Sequence, residues 1–246
     1  VAPKIQLQDN ASGSVWVWTR PKPGKLYTIG VDTSAGVRGG DQSVAQVVEM
    51  DSCEQVAEMA GWWEPYKFGR MVARLGWVFN EAEVGIETHP SAHGIACYDS
   101  AVAYGYANLF QQQSFDSREA KFLIRKGWSS AGGGSEVLLN RVRVAVTEGV
   151  KIRSERLLNQ LLGARYGDDD RLDRYCKNDL IVALGIALKV RDIAYRDGRV
   201  PAEKARALDE TERFWLDYAV QDRQAAKVGP VTEPQDPNFG MYGSSY

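Results

Sequence analysis

Three mostly apolar runs follow one another between residues 27 and 63, separated by short polar breaks. Tyr27 to Asp32 closes on an acid, Ser43 to Met50 follows a glycine-bearing loop, and Gln55 to Trp63 comes after Asp51-Ser52, a pair suited to a tight turn. This pattern predicts a three-stranded antiparallel meander. The period then changes. Behind Pro65, the apolar residues Phe68, Val72, Leu75 and Val78-Phe79 recur at helical spacing. Glu83 to Glu87 is a short strand that again ends on an acid, a helix is predicted over 91–104, and a strand over 107–110 completes a β-α-β unit, which implies parallel pairing. Further helices are predicted over 135–148, 154–166 and 180–194, the last preceded by a polar, acid-rich loop at 167–175. Val15 to Trp18 is a short strand candidate ahead of the Pro21-Lys22-Pro23-Gly24 turn. Residues 201–227 read as a charged helix, and a Pro- and Gly-rich tail from Gly229 is expected to be poorly ordered.

This order divides the chain into an N-terminal lead-in over 1–26, one main domain over 27–196, and a charged helix with a tail over 197–246. At 246 residues, 44% hydrophobic and 25% charged, the chain has enough length for one substantial core. No run approaches the roughly 18 apolar residues of a membrane span, and the three scattered cysteines, Cys53, Cys97 and Cys176, do not suggest a disulfide framework. The expectation is a cytosolic protein. The first residue is Val, and the opening segment reads as the interior of a longer protein. A net charge of −2 gives no overall basic signature, so any nucleic-acid surface must come from local segregation. Ser117 to Arg165 holds ten Lys or Arg against four Glu, with Arg118, Lys121, Arg125 and Lys126 around an apolar Phe122-Leu123-Ile124 run as candidates for phosphate contact. A hairpin or strand there would bury its apolar side and turn its charges outward, with Arg141, Arg143, Arg153 and Arg156 as a second possible track.

Three acids carry the candidate chemistry: Asp32, Glu87 and Asp179. Two end strands and the third opens a helix. If the strands of Asp32 and Glu87 are neighbours, their backbones lie about 5 Å apart at the same sheet edge. Carboxylates this close repel one another and call for a counter-charge, which hard divalent cations supply through oxygen ligands. Asp41, at the start of the second strand, is an auxiliary candidate, although a turn-forming Asp explains it as well. His89, His93 and Cys97 stand four residues apart like zinc ligands on a helix face, but Pro90 intervenes and no fourth ligand is evident, so hydrogen bonding near the acids or to DNA is the preferred role for His89 or His93. Asp168 to Asp170 reads as a solvated loop.

Several of these segments together resemble the nuclease domain of terminase large subunits, the viral DNA-packaging motors. Tyr27-Thr28-Ile29-Gly30-Val31-Asp32-Thr33-Ser34-Ala35-Gly36, with Gly40-Asp41-Gln42-Ser43 behind it, resembles the first nuclease motif. Val84-Gly85-Ile86-Glu87 is similar to the second, Gly127-Trp128-Ser129-Ser130 to a Gly-Trp-Thr-Thr segment, and Asn178-Asp179-Leu180-Ile181-Val182-Ala183-Leu184 to the closing acid-and-helix motif. The resemblance runs in order over roughly residues 15 to 196. It implies an α/β, ribonuclease H-like fold, a mixed five-stranded sheet with helices on both faces. It also implies two Mg²⁺ or Mn²⁺ ions, with Asp32 bridging both and Glu87 and Asp179 each holding one, and cleavage of double-stranded viral DNA concatemers with little sequence preference. Its implied partners are double-stranded DNA, a preceding ATPase domain, the portal protein and the small terminase subunit, and its implied place is the host cytoplasm at the procapsid. The family often has two adjacent acids in its third motif; here the first is the neutral Asn178, and His89 stands where the second motif usually carries Asn. No Gly-x-x-x-x-Gly-Lys-Ser/Thr pattern occurs, so translocation would belong to another part of the protein.

Two other readings compete. Actin-like sugar kinases also open with a strand ending in Gly-x-Asp, but they need phosphate loops absent from this chain. A non-catalytic docking module of the packaging machine has no use for three mutually repelling acids.

Overall fold

The computed structural model describes residues 13–89, 92–116, 121–164 and 178–197. Its strands are β1 (Val15–Val17), β2 (Tyr27–Asp32), β3 (Ser43–Glu49), β4 (Gln55–Gly61), β5 (Glu83–His89), β6 (Gln111–Asp116), β7 (Lys121–Lys126) and β8 (Trp128–Ser129). Its helices are α1 (Pro65–Val78), α2 (Ala92–Ala103), α3 (Gly134–Thr147), α4 (Glu155–Gly163) and α5 (Asp179–Arg196).

The predicted meander is present, with β2 antiparallel to β3 and β3 to β4. β3 and β4 are buried at every position, as expected of strands covered on both faces. β5 joins β2 in parallel, and the full order is β1-β4-β3-β2-β5-β8. The mixed sheet therefore has six strands rather than the expected five. The segment at 107–110 contributes only a single parallel bridge, Val84 to Leu109, while β1 and the two-residue β8 close the two edges. Trp128-Ser129 is too short to show an alternation of its own, so its pairing depends on the neighbour rather than on a pattern.

The helices α1 and α2 cover one face, where Phe68, Val72 and Leu75 meet Ile29, Val31, Val84 and Ile86. α5 and its neighbours α3 and α4 cover the other, where Leu180, Ala183, Leu184 and Ala187 meet Val44 and Val48. Gly30 explains how closely α5 lies on β2: a Cβ there would stand 1.9 Å from the Ala183 carbonyl oxygen. Thr28 adds a hydroxyl hydrogen bond to the Ala187 carbonyl at 3.0 Å.

β6 and β7 form a separate two-stranded hairpin. Of its apolar run, Ile124 is 64% exposed, Leu123 is half-buried, and the Phe122 side chain lies outside the described residues. Ile124 pairs with Gln113 of the partner strand, which opens Gln111-Gln112-Gln113, while the side chains of the Phe115–Phe122 pair lie outside the described residues. Arg118 and the predicted loop at 167–175, the helix at 201–227 and the C-terminal tail lie outside the described residues. No helix among the described residues is long and apolar enough to cross a membrane.

Candidate active site

The register of the sheet assembles the site. Val31 pairs with Ile86 across the parallel β2–β5 ladder, so Asp32 and Glu87 follow side by side at the same edge, with backbones about 4.8 Å apart. Asp179 arrives from the helix. α5 runs antiparallel to β2, with Ala183 over Gly30. Two strand residues rise about 6.6 Å from Gly30 to Asp32, and four helical residues rise about 6 Å from Ala183 to Asp179. The two acids are thereby brought level.

The electrostatics follow from that placement. Burial holds the Asp32 carboxyl well above the usual carboxylate range, and the charges of Glu87 and Asp179, a hydrogen bond with Glu87 and the charge of Asp41 push in the same direction. A cleft of about 350 Å³ opens beside this cluster, and Asp32, Asp41, His93 and Asp179 line it together with Thr33, Ser34, Ala35, Val37, Gly40 and Gln42. The glycines shape its walls. Gly94 brings the start of α2 against the end of β5, where a Cβ would stand 1.7 Å from the Glu87 carbonyl oxygen, and so delivers His93 to the cleft.

Asp32, Glu87 and Asp179 are thus brought together, with Asp41 beside them, and His93 rather than His89 is the described imidazole at the cleft. His89 ends β5, and its side chain lies outside the described residues. Asn178 is the N-cap of α5 and makes no side-chain capping bond. The two described side chains of the zinc-like trio differ in burial. Cys97 is fully buried in the core under α1, with its thiol pushed up to about 12 by burial, whereas His93 is exposed. Ser130, which closes the Gly127-Trp128-Ser129-Ser130 segment, donates its hydroxyl to Glu87 Oε1. Nothing in the sequence singles it out, because its partner is set by the pairing of β5 with β8.

The donor set consists of carboxylate oxygens and suits hard cations such as Mg²⁺ or Mn²⁺ better than thiophilic metals. Among the described residues no three such side chains already surround a single point. The cluster is charge-compatible with an ion, and its ligand shell is not closed.

The basic candidates divide. Arg125 and Lys126 are exposed on β7, but Lys126 is ion-paired to Asp99 at 2.7 Å and lies over the Tyr98 ring. Lys121 belongs to β7, and its side chain is outside the described residues. The second track is largely occupied by internal pairs: Arg141 with Asp192 at 2.6 Å, Arg153 with Glu54 at 2.6 Å, and Arg156 with Glu58. The local excess of positive charge shrinks once partners distant in sequence are counted.

Solved structures with this architecture exist. The large terminase nuclease from thermophilic phage G20c superposes with a TM-score of 0.55 at 16% identity, over 75% of this chain and 92% of that one. The fold is that of a large terminase nuclease. The magnesium-bound form of the G20c nuclease gives a TM-score of 0.56 at 17% identity over the same shares, and the large terminase nuclease domain of Thermus phage P74-26 gives 0.54 at 17% identity over 74% and 88%. The G20c nuclease has also been solved with cobalt and with zinc bound. No family model and no curated protein sequence matches the chain. The architecture shared with these terminase nucleases is the ribonuclease H-like mixed sheet with helices on both faces.

Proposed function

We propose that this chain is the nuclease domain of a large terminase subunit, a metal-dependent endonuclease that cuts double-stranded viral DNA during packaging. The observation that carries the reading is the convergence of Asp32, Glu87 and Asp179 at one edge of a terminase-nuclease fold. The solved magnesium, cobalt and zinc forms of the G20c nuclease support a divalent cation as cofactor.

Asp32 would be shared by two Mg²⁺ or Mn²⁺ ions, with Glu87 holding one and Asp179 the other. When bound, such a pair supplies an activated water and a counter-charge at the leaving oxygen. The protein's own part is to hold three acids in one place and keep that edge open: Asp32 at the centre, Glu87 fixed from β8, and Asp179 carried on a rigid helix. Asp41 and His93 line the cleft and would orient water or a phosphate oxygen. Asn178 leaves the third motif with one charge fewer, so the ion on Asp179 would be held more weakly than where two acids stand together. Arg125, exposed on β7, would contribute a phosphate contact, with little reading of bases. The same reading supplies a preceding ATPase domain, the portal protein and the small terminase subunit as partners, in the host cytoplasm.

Incubating the chain with supercoiled plasmid tests this reading. Nicked and linear products are expected with Mg²⁺ or Mn²⁺, and none with EDTA. Uncut plasmid under all conditions, or equal cutting in EDTA, would contradict it.

A further inference from the structure

β8 is only two residues long, yet its backbone is fixed from several sides. Gly127, with φ of 63°, lies so close to β5 that a Cβ would stand 2.2 Å from the Ile86 carbonyl oxygen. The Thr88 hydroxyl reaches the carbonyls of Lys126 at 2.6 Å and Trp128 at 3.2 Å, on either side of that glycine. The Ser129 amide donates to Gln112 Oε1 at 2.8 Å, and a Cβ on Gly134 would stand 2.4 Å from the Ser129 carbonyl oxygen, so the start of α3 presses on the same strand. These restraints deliver the Ser130 hydroxyl to Glu87 Oε1.

We infer that Ser130 is a positioning residue for the metal site, holding the Glu87 carboxylate in its ligating orientation through the hydroxyl hydrogen bond. The inference rests on the functional reading above. A hydroxyl donates to an ionised carboxylate without changing its charge, so the contact is compatible with Glu87 also ligating a cation. Partners of this kind set ligand orientation, and their loss typically costs about 10–100-fold in metal affinity or activity. The clamped backbone matters here. A serine on a mobile loop would follow Glu87, whereas this one is fixed by β5, β6 and α3 and makes Glu87 follow it.

The test is Mn²⁺ binding by the full chain, measured by calorimetry, for wild type, Ser130→Ala, Ser130→Thr and Asp32→Asn, with melting curves in EDTA as a check on folding. Ser130→Ala is expected to weaken Mn²⁺ binding about 10-fold or more and to raise the Mn²⁺ needed for half-maximal plasmid nicking in parallel. Ser130→Thr, which keeps the hydroxyl, should remain within about threefold of wild type. In a Glu87→Gln background, Ser130→Ala should have no further effect, which a merely structural role would not produce. If the alanine variant does not fold, Ser130→Cys keeps the size and weakens the donor, and it should show the same loss. Wild-type Mn²⁺ affinity in Ser130→Ala would overturn the role of Ser130 and leave the nuclease reading standing. Absence of Mn²⁺ binding by wild type, or unchanged binding in Asp32→Asn, would remove the metal site itself and this inference with it.

Discussion

Asp32 and Glu58 are both largely withdrawn from water, on strands two places apart in one sheet, and they live in opposite surroundings. Glu58, fully buried, accepts from the Gln46 amide at 2.7 Å and is ion-paired to Arg156, whose guanidinium stacks 3.7 Å from the centre of the Trp16 ring. Gln55 completes that network, donating to Gln46 and accepting from the amides of Arg153 and Ser154 at 2.7 and 2.9 Å. There the charge is matched and ties the segment before α4 to the sheet. Around Asp32 every named charge is negative. A satisfied buried acid holds structure together, and an acid kept among acids holds a place for something positive.

The largest expected effect separates the two poles in activity. Asp32→Asn should lose plasmid cleavage by more than the roughly 100-fold that an outer partner's loss costs, while the fold persists. Arg156→Ala should do the reverse. It should destabilise the chain towards the lower end of the about 3–5 kcal/mol seen when a buried pair is broken, because Arg156 is itself partly exposed, with cutting per folded molecule unchanged. Chemical denaturation and a plasmid assay on the same samples would expose any crossover.

A smaller effect appears in pH. Because the folded-state Asp32 carboxyl titrates above its unfolded value, the native chain holds a proton that the unfolded chain releases, so metal-free stability should fall as pH rises from about 4 through that raised range. Asp32→Asn should flatten this fall and raise the melting temperature at neutral pH, on the order of 2–4 °C for each kcal/mol of repulsion relieved. A melting temperature in EDTA that does not vary with pH in wild type would argue against the repulsion.

The smallest effect concerns the hairpin. Arg125→Ala should reduce the slope of log affinity against log salt for duplex DNA by about 0.9, one phosphate contact, and Lys126→Ala by less, since Asp99 already neutralises that ammonium. Equal slope changes would mean that the Lys126–Asp99 pair opens on DNA.

The convergence of Asp32, Glu87 and Asp179 was legible because each stands where an apolar run meets a break, and parallel pairing then forces two of them together. The meander and the helical stripe behind Pro65 were legible for the same reason, a clear period. What stayed hidden depended on distance along the chain. Arg153 and Arg156 meet Glu54 and Glu58 across 99 and 98 residues, so a local count of charge reads them as free. The edge strand Trp128-Ser129 is too short for a period, and the role of Ser130 depends on register. The apolar Phe122-Leu123-Ile124 run suggested a buried side, but Ile124 pairs with Gln113 and stands exposed, while Leu123 on the other face is half-buried.

The most direct test of the central claim is an anomalous-scattering map from crystals of the chain soaked in Mn²⁺. Manganese peaks are expected with oxygens of Asp32, Glu87 and Asp179 at about 2.0–2.6 Å, the carboxylates having closed around the ions. Peaks only elsewhere on the surface, or no peak at a Mn²⁺ concentration that supports cutting, would contradict it.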